Sequence, residues 1–176
     1  RKWKIFRDDQ IARMLEVEMT SEFMLLAMDG VLEKNQKTID DYYDKYEKTF
    51  ADKREVTARF RATMDTLDGL FFVGEDGKPF RNKTIFYGLF AAAHGIQFGG
   101  LRDPSQPHQK LTHTKAASLR GTVVAHIKKT AATIKEGNVP RDVAKASRGA
   151  TAHAKQRRII IGYLAGEDSD PCPRRR

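Results

Sequence analysis

The stretch RDDQIARMLEVEMTSEFMLLAMDGV, residues 7–31, decides the fold class, because its apolar side chains recur in steps of three and four residues. Such steps place side chains on one face of an α-helix. The residues with this spacing are Met14, Val17, Ser21, Met24, Met28 and Val31. Asp8 and Asp9 suit the first turn, where the helix dipole favours acids, and Gly30 lies near the end. The stretch therefore predicts one amphipathic helix with a buried face.

Glu18 is a carboxylate placed inside this apolar face. At 100° per residue it lies about 40° from Met14 and about 20° from Leu25. Burying an unpaired carboxylate would cost roughly several kcal/mol or force it to protonate. Two interpretations are open: Glu18 reaches water at the rim of the face, or it forms a structural polar pair with a basic residue of another helix. The candidate partners are Arg120, Arg157 and Arg158.

The remaining sequence repeats the helical pattern, and no segment reads as a strand. The further helices predicted by periodicity cover residues 38–50, 53–70, 83–96, 114–136 and 140–165. Their expected boundaries are Thr38 and Asn82 as caps, Asp76-Gly77 as a turn, Gly137 and Gly166 as stops, and Pro140 as a start. The sequence therefore predicts an all-α fold, a helical bundle of about six helices.

Charge divides the chain into two unequal parts. Residues 1–100 contain 16 Lys and Arg against 17 Asp and Glu, whereas residues 101–176 contain 16 against 6. We predict a near-neutral helical core of about four helices over residues 1–100. A basic pair of long helices, residues 101–166, would pack on it, followed by a disordered tail, residues 167–176. Concentrated positive charge indicates a side that faces a polyanion.

The last two predicted helices carry cations at helical spacing: four on the final helix form one stripe, and two on the preceding helix form a second row. The candidate DNA-binding residues with this spacing are Lys128, Lys135, Arg141, Lys145, Arg148 and Lys155. A stripe of cations can follow a phosphate backbone, giving salt-dependent affinity with little reading of the bases. The alternative is a solvated amphipathic face with no ligand.

No residue of the sequence is assigned a catalytic role, and no metal site is expected. None of the five histidines pairs at helical spacing with a second ligand residue, and Cys172 is the sole cysteine. No phosphate-binding loop motif occurs, so we expect no cofactor in this chain. No run of about 18 apolar residues occurs, so we expect no membrane partner. The lone cysteine favours a reducing, cytoplasmic location.

Three short motifs resemble the GmrSD-type restriction and phage-defence family. The first is Arg13-Met14-x-Glu16-x-Glu18 ahead of an apolar helix. The second is Asn82-Lys83-x-x-Phe86. The third is TAHAKQRRIIIGYLAG, residues 151–166, which places Arg157 or Arg158 shortly before Tyr163-Leu164. Together the motifs span most of residues 5–165 in the order found in that family.

The resemblance implies that this chain is the C-terminal helical half of a protein whose N-terminal module is a ParB/sulfiredoxin-like domain. Glu18 would then belong to an internal polar pair and would not be a catalytic acid. The family's Asp-Gly-Gln-Gln-Arg string is absent, and no histidine follows His153 to supply the His-Asn-His nuclease that often follows the helices. The opening RKWKIFRDDQ lacks an initiator Met, so we expect a piece of a longer protein with neighbouring domains as partners.

Taken with the charge pattern, the resemblance implies a helical coupling segment that contacts DNA in an antiviral restriction protein. The parent protein would be an NTP-dependent endonuclease. One alternative is a protein-interaction bundle whose basic half binds an acidic partner. Another is an enzyme of a type that the sequence does not reveal.

Overall fold

A computed structural model describes residues 3–73, 77–106, 110–148 and 152–166. Within these ranges the chain forms eight α-helices and one short 3-10 helix, and no strand occurs there. In chain order they are α1 (Asp8–Ile11), α2 (Leu15–Asp29), α3 (Gln36–Tyr46), α4 (Lys53–Phe71), the 3-10 helix (Lys78–Arg81), α5 (Lys83–Phe98), α6 (Gly121–Glu136), α7 (Arg141–Arg148) and α8 (Ala154–Ala165). The predicted all-α class is confirmed. The helix count exceeds six because the first and last predicted helices are each divided in two.

The first predicted helix is interrupted at Met14, between α1 and α2. Met14 has φ 56° and ψ 29°, in the left-handed region that non-glycine residues rarely occupy. The amide of Arg13 donates to the Gln10 carbonyl at 3.2 Å, and that of Met14 donates to the Ile11 carbonyl at 2.8 Å. These bonds span three residues, so the chain tightens into a turn before α2 starts.

The buried face of α2 is rotated relative to the predicted one. Met14 is 62% exposed and Val17 is 41% exposed, so the prediction that both face the core is wrong. The buried residues of α2 are Met19, Glu22, Phe23, Leu25, Leu26, Ala27 and Met28. Phe23 stacks on Phe90 of α5 with ring centroids 4.0 Å apart. This aromatic contact orients α2, and Met28 is buried as predicted.

Helix α5 is the centre of the core. It contacts α2, α4 and α8, and its residues 85–94 are all buried. The predicted cap is present, because Asn82 Oδ1 accepts the amides of Thr84 and Ile85 at 2.9 and 3.3 Å. Helix α3 is capped by Asn35, three residues before the predicted Thr38.

Helix α8 packs closely against α5 at Gly88. A Cβ there would lie 2.8 Å from Ile160 Cγ2 and 3.0 Å from Leu164 Cδ1. We expect Gly88→Ala to lower the free energy of unfolding by roughly 1–3 kcal/mol in urea denaturation, because overpacking outweighs the gain in helix propensity. Gly69→Ala in α4 is the matched control: its Cβ would meet open space, so it should stabilise by about 0.5–1 kcal/mol. Stabilisation by both substitutions would contradict the close approach.

The basic half differs from the prediction at the start of α6. This helix begins at Gly121 and not at Thr114, because residues 110–120 have no regular secondary structure. Within this segment, the side chains of Leu111 and Leu119 are buried. The amide of Ala117 donates to the carbonyl of Gln97 on α5 at 3.0 Å. These two buried leucines and this hydrogen bond hold residues 110–120 against the core.

The final predicted helix, 140–165, is two helices. His153 has extended backbone, φ −76° and ψ 135°, and is the cap residue of α8. Gly137 and Gly166 end α6 and α8 with φ 79° and 80°, as predicted. Asp76 of the predicted turn, Cys172 and the predicted tail, residues 167–176, lie outside the described residues.

Candidate functional site

The most deeply buried carboxylate of α2 is Glu22, one helical turn after Glu18. It forms an ion pair with Arg157 Nη2 of α8, and the two side chains are 5% and 7% exposed. Arg157 Nη1 also donates to the carbonyl of Leu32 at 3.3 Å. The guanidinium lies over the ring of Tyr87, 4.1 Å from its centroid. The pair ties α2 to α8, and removing one partner would leave a buried charge uncompensated.

Lys34 joins Glu18 to this buried pair. Its Nζ lies 2.9 Å from Glu18 Oε1 and 3.0 Å from Glu22 Oε1. Burial lowers the pKa of the Lys34 ammonium, but the two carboxylates outweigh that effect and the pKa is raised overall. The backbone amide of Lys34 also donates to the Ala152 carbonyl at 2.7 Å. Lys34 therefore fastens the loop after α2 to the segment before α8.

The three arginines predicted as partners of Glu18 have different positions. Arg157 enters the cluster, but through Glu22. Arg158 is exposed, and its Nη2 lies 3.5 Å from the Val31 carbonyl oxygen. Arg120 is exposed and precedes α6 as its cap residue. The direct partner of Glu18 is Lys34, and none of these arginines takes that place.

The rotation of α2 explains why Glu22 replaces Glu18 in the buried pair. The packing of Phe23 on α5 turns Glu22 toward the centre of the apolar face. Glu18 is left at the edge with its side chain 27% exposed. Lys34 was missed because it lies in a loop, where helical spacing carries no information.

A cleft of about 310 Å³ opens beside this cluster, and we call it the charged cleft. It lies between α2, α5, α8 and the loop that carries Lys34. Its polar wall contains Glu18, Lys34, Lys83 and Arg157, and its apolar wall contains Leu15, Met19 and Ile160. The volume falls at the lower end of the range for small-molecule sites.

Tyr87 lines the charged cleft and is 5% exposed. Its hydroxyl has no hydrogen-bond partner among the described residues. Burial raises the pKa of Tyr87 to about 12, and the positive charge of Arg157 opposes this shift. The hydroxyl is therefore protonated at neutral pH, and protein atoms enclose it.

The basic residues of α7 lie on its exposed side. Arg141, Lys145 and Arg148 are exposed, whereas Val143 and Ala146 are buried. This distribution matches the predicted spacing over α7. It presents three cations to solvent on the side away from the core.

The other predicted stripe residues lie on different helices. Lys155 is exposed near the start of α8, Lys135 is exposed in the last turn of α6, and Lys128 is half-buried on α6. The predicted continuous stripe from Arg141 to Lys155 is therefore divided, because α7 ends at Arg148 and α8 begins at Ala154.

Most of these cations lack a carboxylate partner within the part of the chain that the structure describes. The five cations with no ion pair there lie on α6, α7 and α8, and this set of exposed residues is called the basic face below: Lys135, Arg141, Lys145, Arg148 and Lys155. The nearest acids in sequence are Glu136 and Asp142, and Asp142 Oδ1 accepts the amide of Val143. The guanidinium of Arg148 lies against Gly137, at the C-terminal end of α6 where the helix dipole favours a cation.

His94 is a second buried titratable group that the sequence did not single out. It is 2% exposed on α5, and neither ring nitrogen has a hydrogen-bond partner among the described residues. Burial, and next the nearby charge of Arg59, lowers the pKa of His94 to about 4. The ring packs beside Phe90 and Phe98, so it is held as a neutral imidazole within the core.

Two further properties bear on the class of protein. In the ranges described, no three His, Cys, Asp or Glu side chains converge in an arrangement that could hold a metal ion. None of the described helices has both the length and the apolar character needed to cross a bilayer.

The fold and these sites define an all-helical protein with a charged cleft and a separate basic face. Comparison with protein-family models, with curated proteins and with solved structures gives no match. The resemblance to the GmrSD-type family therefore rests on the three sequence motifs alone.

Proposed function

We propose that this chain is a helical coupling segment of a cytoplasmic antiviral restriction protein of the GmrSD type, and that its basic face contacts the phosphate backbone of DNA. The observation that carries the DNA contact is the basic face itself, five exposed cations without a carboxylate partner among the described residues. Residues 101–166 contain thirteen Lys and Arg against three Asp and Glu, so local acids do not neutralise this side.

The spacing of the cations on α7 suits a phosphate backbone. Arg141 and Arg148 are seven residues apart, which is about 10 Å along the helix axis. Duplex DNA carries about one negative charge per 1.7 Å of its axis, so this face would meet several phosphates. Contacts of this kind give affinity and salt dependence without sequence preference.

The coupling role is supported by the contacts between the near-neutral half and the basic half. Glu22 and Lys34 from the first half hold Arg157 and the backbone of Ala152 in the second. A displacement of α8 on binding DNA would therefore act directly on α2. Neighbouring domains of the parent protein would receive the change through these helices.

Reversing two charges on α7 tests the DNA contact. We expect Arg141→Glu/Lys145→Glu to weaken binding to a 30-base-pair duplex roughly 10–100-fold at 0.1 M salt, and to reduce the salt slope by about 2, in fluorescence anisotropy. Both side chains are exposed, so the fold should be retained. Arg148 is left unchanged because it contacts the end of α6.

The control applies the same change of charge to the near-neutral half. Lys37→Glu/Lys48→Glu alters two exposed lysines and should leave DNA affinity within about threefold of the original. Unchanged affinity after reversal on α7 would refute the proposed contact. Affinity that does not increase with duplex length, together with binding to an acidic protein surface, would favour the alternative of a protein-interaction bundle.

A further inference from the structure

We infer that the exposed start of α2 is a docking surface for a basic amphipathic helix of another protein. The apolar spacing of this helix continues from the core out onto the surface. Met28 is buried, and Met24 packs against the same small apolar cluster, which α3 helps to cover. Met14 and Val17, in the same spacing, are exposed. The exposed part, called the apolar surface below, consists of Met14, Val17 and Ser21 of α2 together with Tyr43 of α3.

The apolar surface is continuous across the two helices. The hydroxyl groups of Ser21 on α2 and Tyr43 on α3 are hydrogen-bonded at 2.9 Å. Val17 lies one turn before Ser21, and Met14 is the cap residue of α2. Of the four large apolar side chains that are exposed among the described residues, three belong to this surface, and the fourth is Val73. Single exposed apolar residues are common, whereas adjacent ones mark interaction sites.

The side chains of the apolar surface are of the types that protein interfaces use. Tyrosine and methionine are enriched in the cores of interfaces between proteins. The ring of Tyr43, whose residue is 59% exposed, offers a large contact area at a small cost in conformational entropy. Met14 and Val17 follow the spacing of a helix, so a second helix can pack along them.

The charges beside Tyr43 determine the kind of helix. Asp40, Asp44 and Glu47 lie within about 100° of Tyr43 around the axis of α3, and all three are exposed. Asp40 accepts a hydrogen bond from Gln36 Nε2 at 2.8 Å. None of the three carboxylates has an ion pair with a cation in the described ranges. A partner that covers the apolar surface therefore gains from lysine or arginine beside its own apolar residues.

The same charges disfavour a second copy of this chain as the occupant. The cation next to the apolar surface is Arg13, and its Nη2 already lies 3.6 Å from Asp9 Oδ2. The basic face has free cations, but on α7 Val143 and Ala146 are buried, so it presents no apolar row there. Neither region of the chain combines exposed apolar residues with unpaired cations.

Fluorescence anisotropy of a labelled amphipathic peptide of leucine and lysine, about 18 residues long and patterned at helical spacing, tests the inference on the whole chain. We expect a dissociation constant of about 10 μM or tighter at about 0.1 M salt. Peptides with glutamate in place of lysine, or serine in place of leucine, should bind at least tenfold more weakly. The chain has a net charge of +9, so it does not attract a basic peptide in general. Equal binding of the three peptides, or no binding of the first, would overturn the proposal.

Two apolar substitutions locate the contact. Val17→Ser/Tyr43→Ser should weaken binding of the leucine–lysine peptide at least tenfold, because both anchors are lost. Val73→Ser is the matched control, since its side chain is exposed outside the apolar surface, and it should leave the affinity within about twofold. All three residues are exposed, so the helical circular dichroism should be unchanged. Equal losses for the two variants would show that the peptide binds elsewhere.

A pair of charge reversals tests the acidic side of the surface. Asp44→Lys/Glu47→Lys should weaken binding at least tenfold, whereas Asp65→Lys/Glu136→Lys, with the same change in net charge on other exposed residues, should stay within about threefold. Similar effects of both pairs would refute a local role for α3.

Sedimentation of the chain alone distinguishes the remaining occupant. A dimer that is lost in Val17→Ser/Tyr43→Ser would overturn the proposal in favour of a second copy. The apolar surface lies on α2 and α3 and shares no residue with the basic face. DNA is absent from every readout, so this inference and the proposed DNA contact fail separately.

Discussion

Glu22→Gln is expected to lower the free energy of unfolding by about 3–5 kcal/mol, measured by urea denaturation at pH 7. The substitution preserves shape but removes the charge that balances Arg157, whose side chain is 7% exposed. Lys34 would lose one of its two carboxylates at the same time. A loss of this size is a large fraction of the stability of an ordinary domain.

Glu18→Gln is the matched control on the same helix face. Its side chain is 27% exposed, and Lys34 would still reach Glu22 after the change. We therefore expect a loss below about 1 kcal/mol. The double variant Glu22→Leu/Arg157→Met should recover much of the stability, because it removes both charges and leaves apolar packing. Equal losses for Glu18→Gln and Glu22→Gln would contradict the assignment of Glu22 as the buried partner.

Stability should decrease as the pH falls below neutral, because of His94. Its ordinary pKa of 6.5 is lowered to about 4 in the folded protein, so the unfolded chain binds a proton that the folded one excludes. The stability that depends on a neutral His94 is therefore fully present above pH 6.5, and it is lost as the pH falls toward 4. Between pH 7 and pH 5 this amounts to about 2 kcal/mol of unfolding free energy.

Urea denaturation of His94→Leu at the same pH values measures that contribution. The variant should show a flatter dependence between pH 7 and pH 5, where most carboxylates remain ionised. His113→Gln serves as the control, because its ring is 92% exposed and its removal should leave most of the slope in place. An equally steep fall for the original chain and His94→Leu would assign the pH dependence to other groups.

Helical periodicity was sufficient to predict the fold class and the central helices. The helix predicted over 53–70 is α4, and the Asn82 cap of α5 was found from its residue type alone. These features are local, because a capping side chain binds amides within one turn, and the spacing of apolar residues reports on a single helix. The spacing of Arg141, Lys145 and Arg148 likewise predicted which side of α7 is exposed.

The break at Met14 had no comparable local signal. No glycine or proline stands there, so composition favours a continuous helix. Apolar residues also cover much of the circumference of α2, and several faces fit steps of three and four. The contact between Phe23 and Phe90, 67 positions apart in sequence, selects one of these faces.

The end of α7, unlike the break at Met14, does have a local signal in the sequence. Gly149 follows Arg148, and glycine is a residue type that often follows a helix end.

The charged cleft could not be predicted, because separate segments build it. Lys34 comes from a loop, and Tyr87 lies within a helix so apolar that its hydroxyl gives no periodic signal. Lys83 was noted only as part of a motif. Assembly of these groups depends on how α2 and α8 pack on α5, which is tertiary information.

The partners of the buried ion pair are 135 positions apart in the chain. During synthesis on the ribosome, the carboxylate of α2 is made long before the arginine that neutralises it. Helix α2 therefore exists without its α8 partner until the chain has been made as far as Arg157. The packing of α2 against α8 can therefore form only after the last helix has been synthesised, however early α2 itself becomes helical.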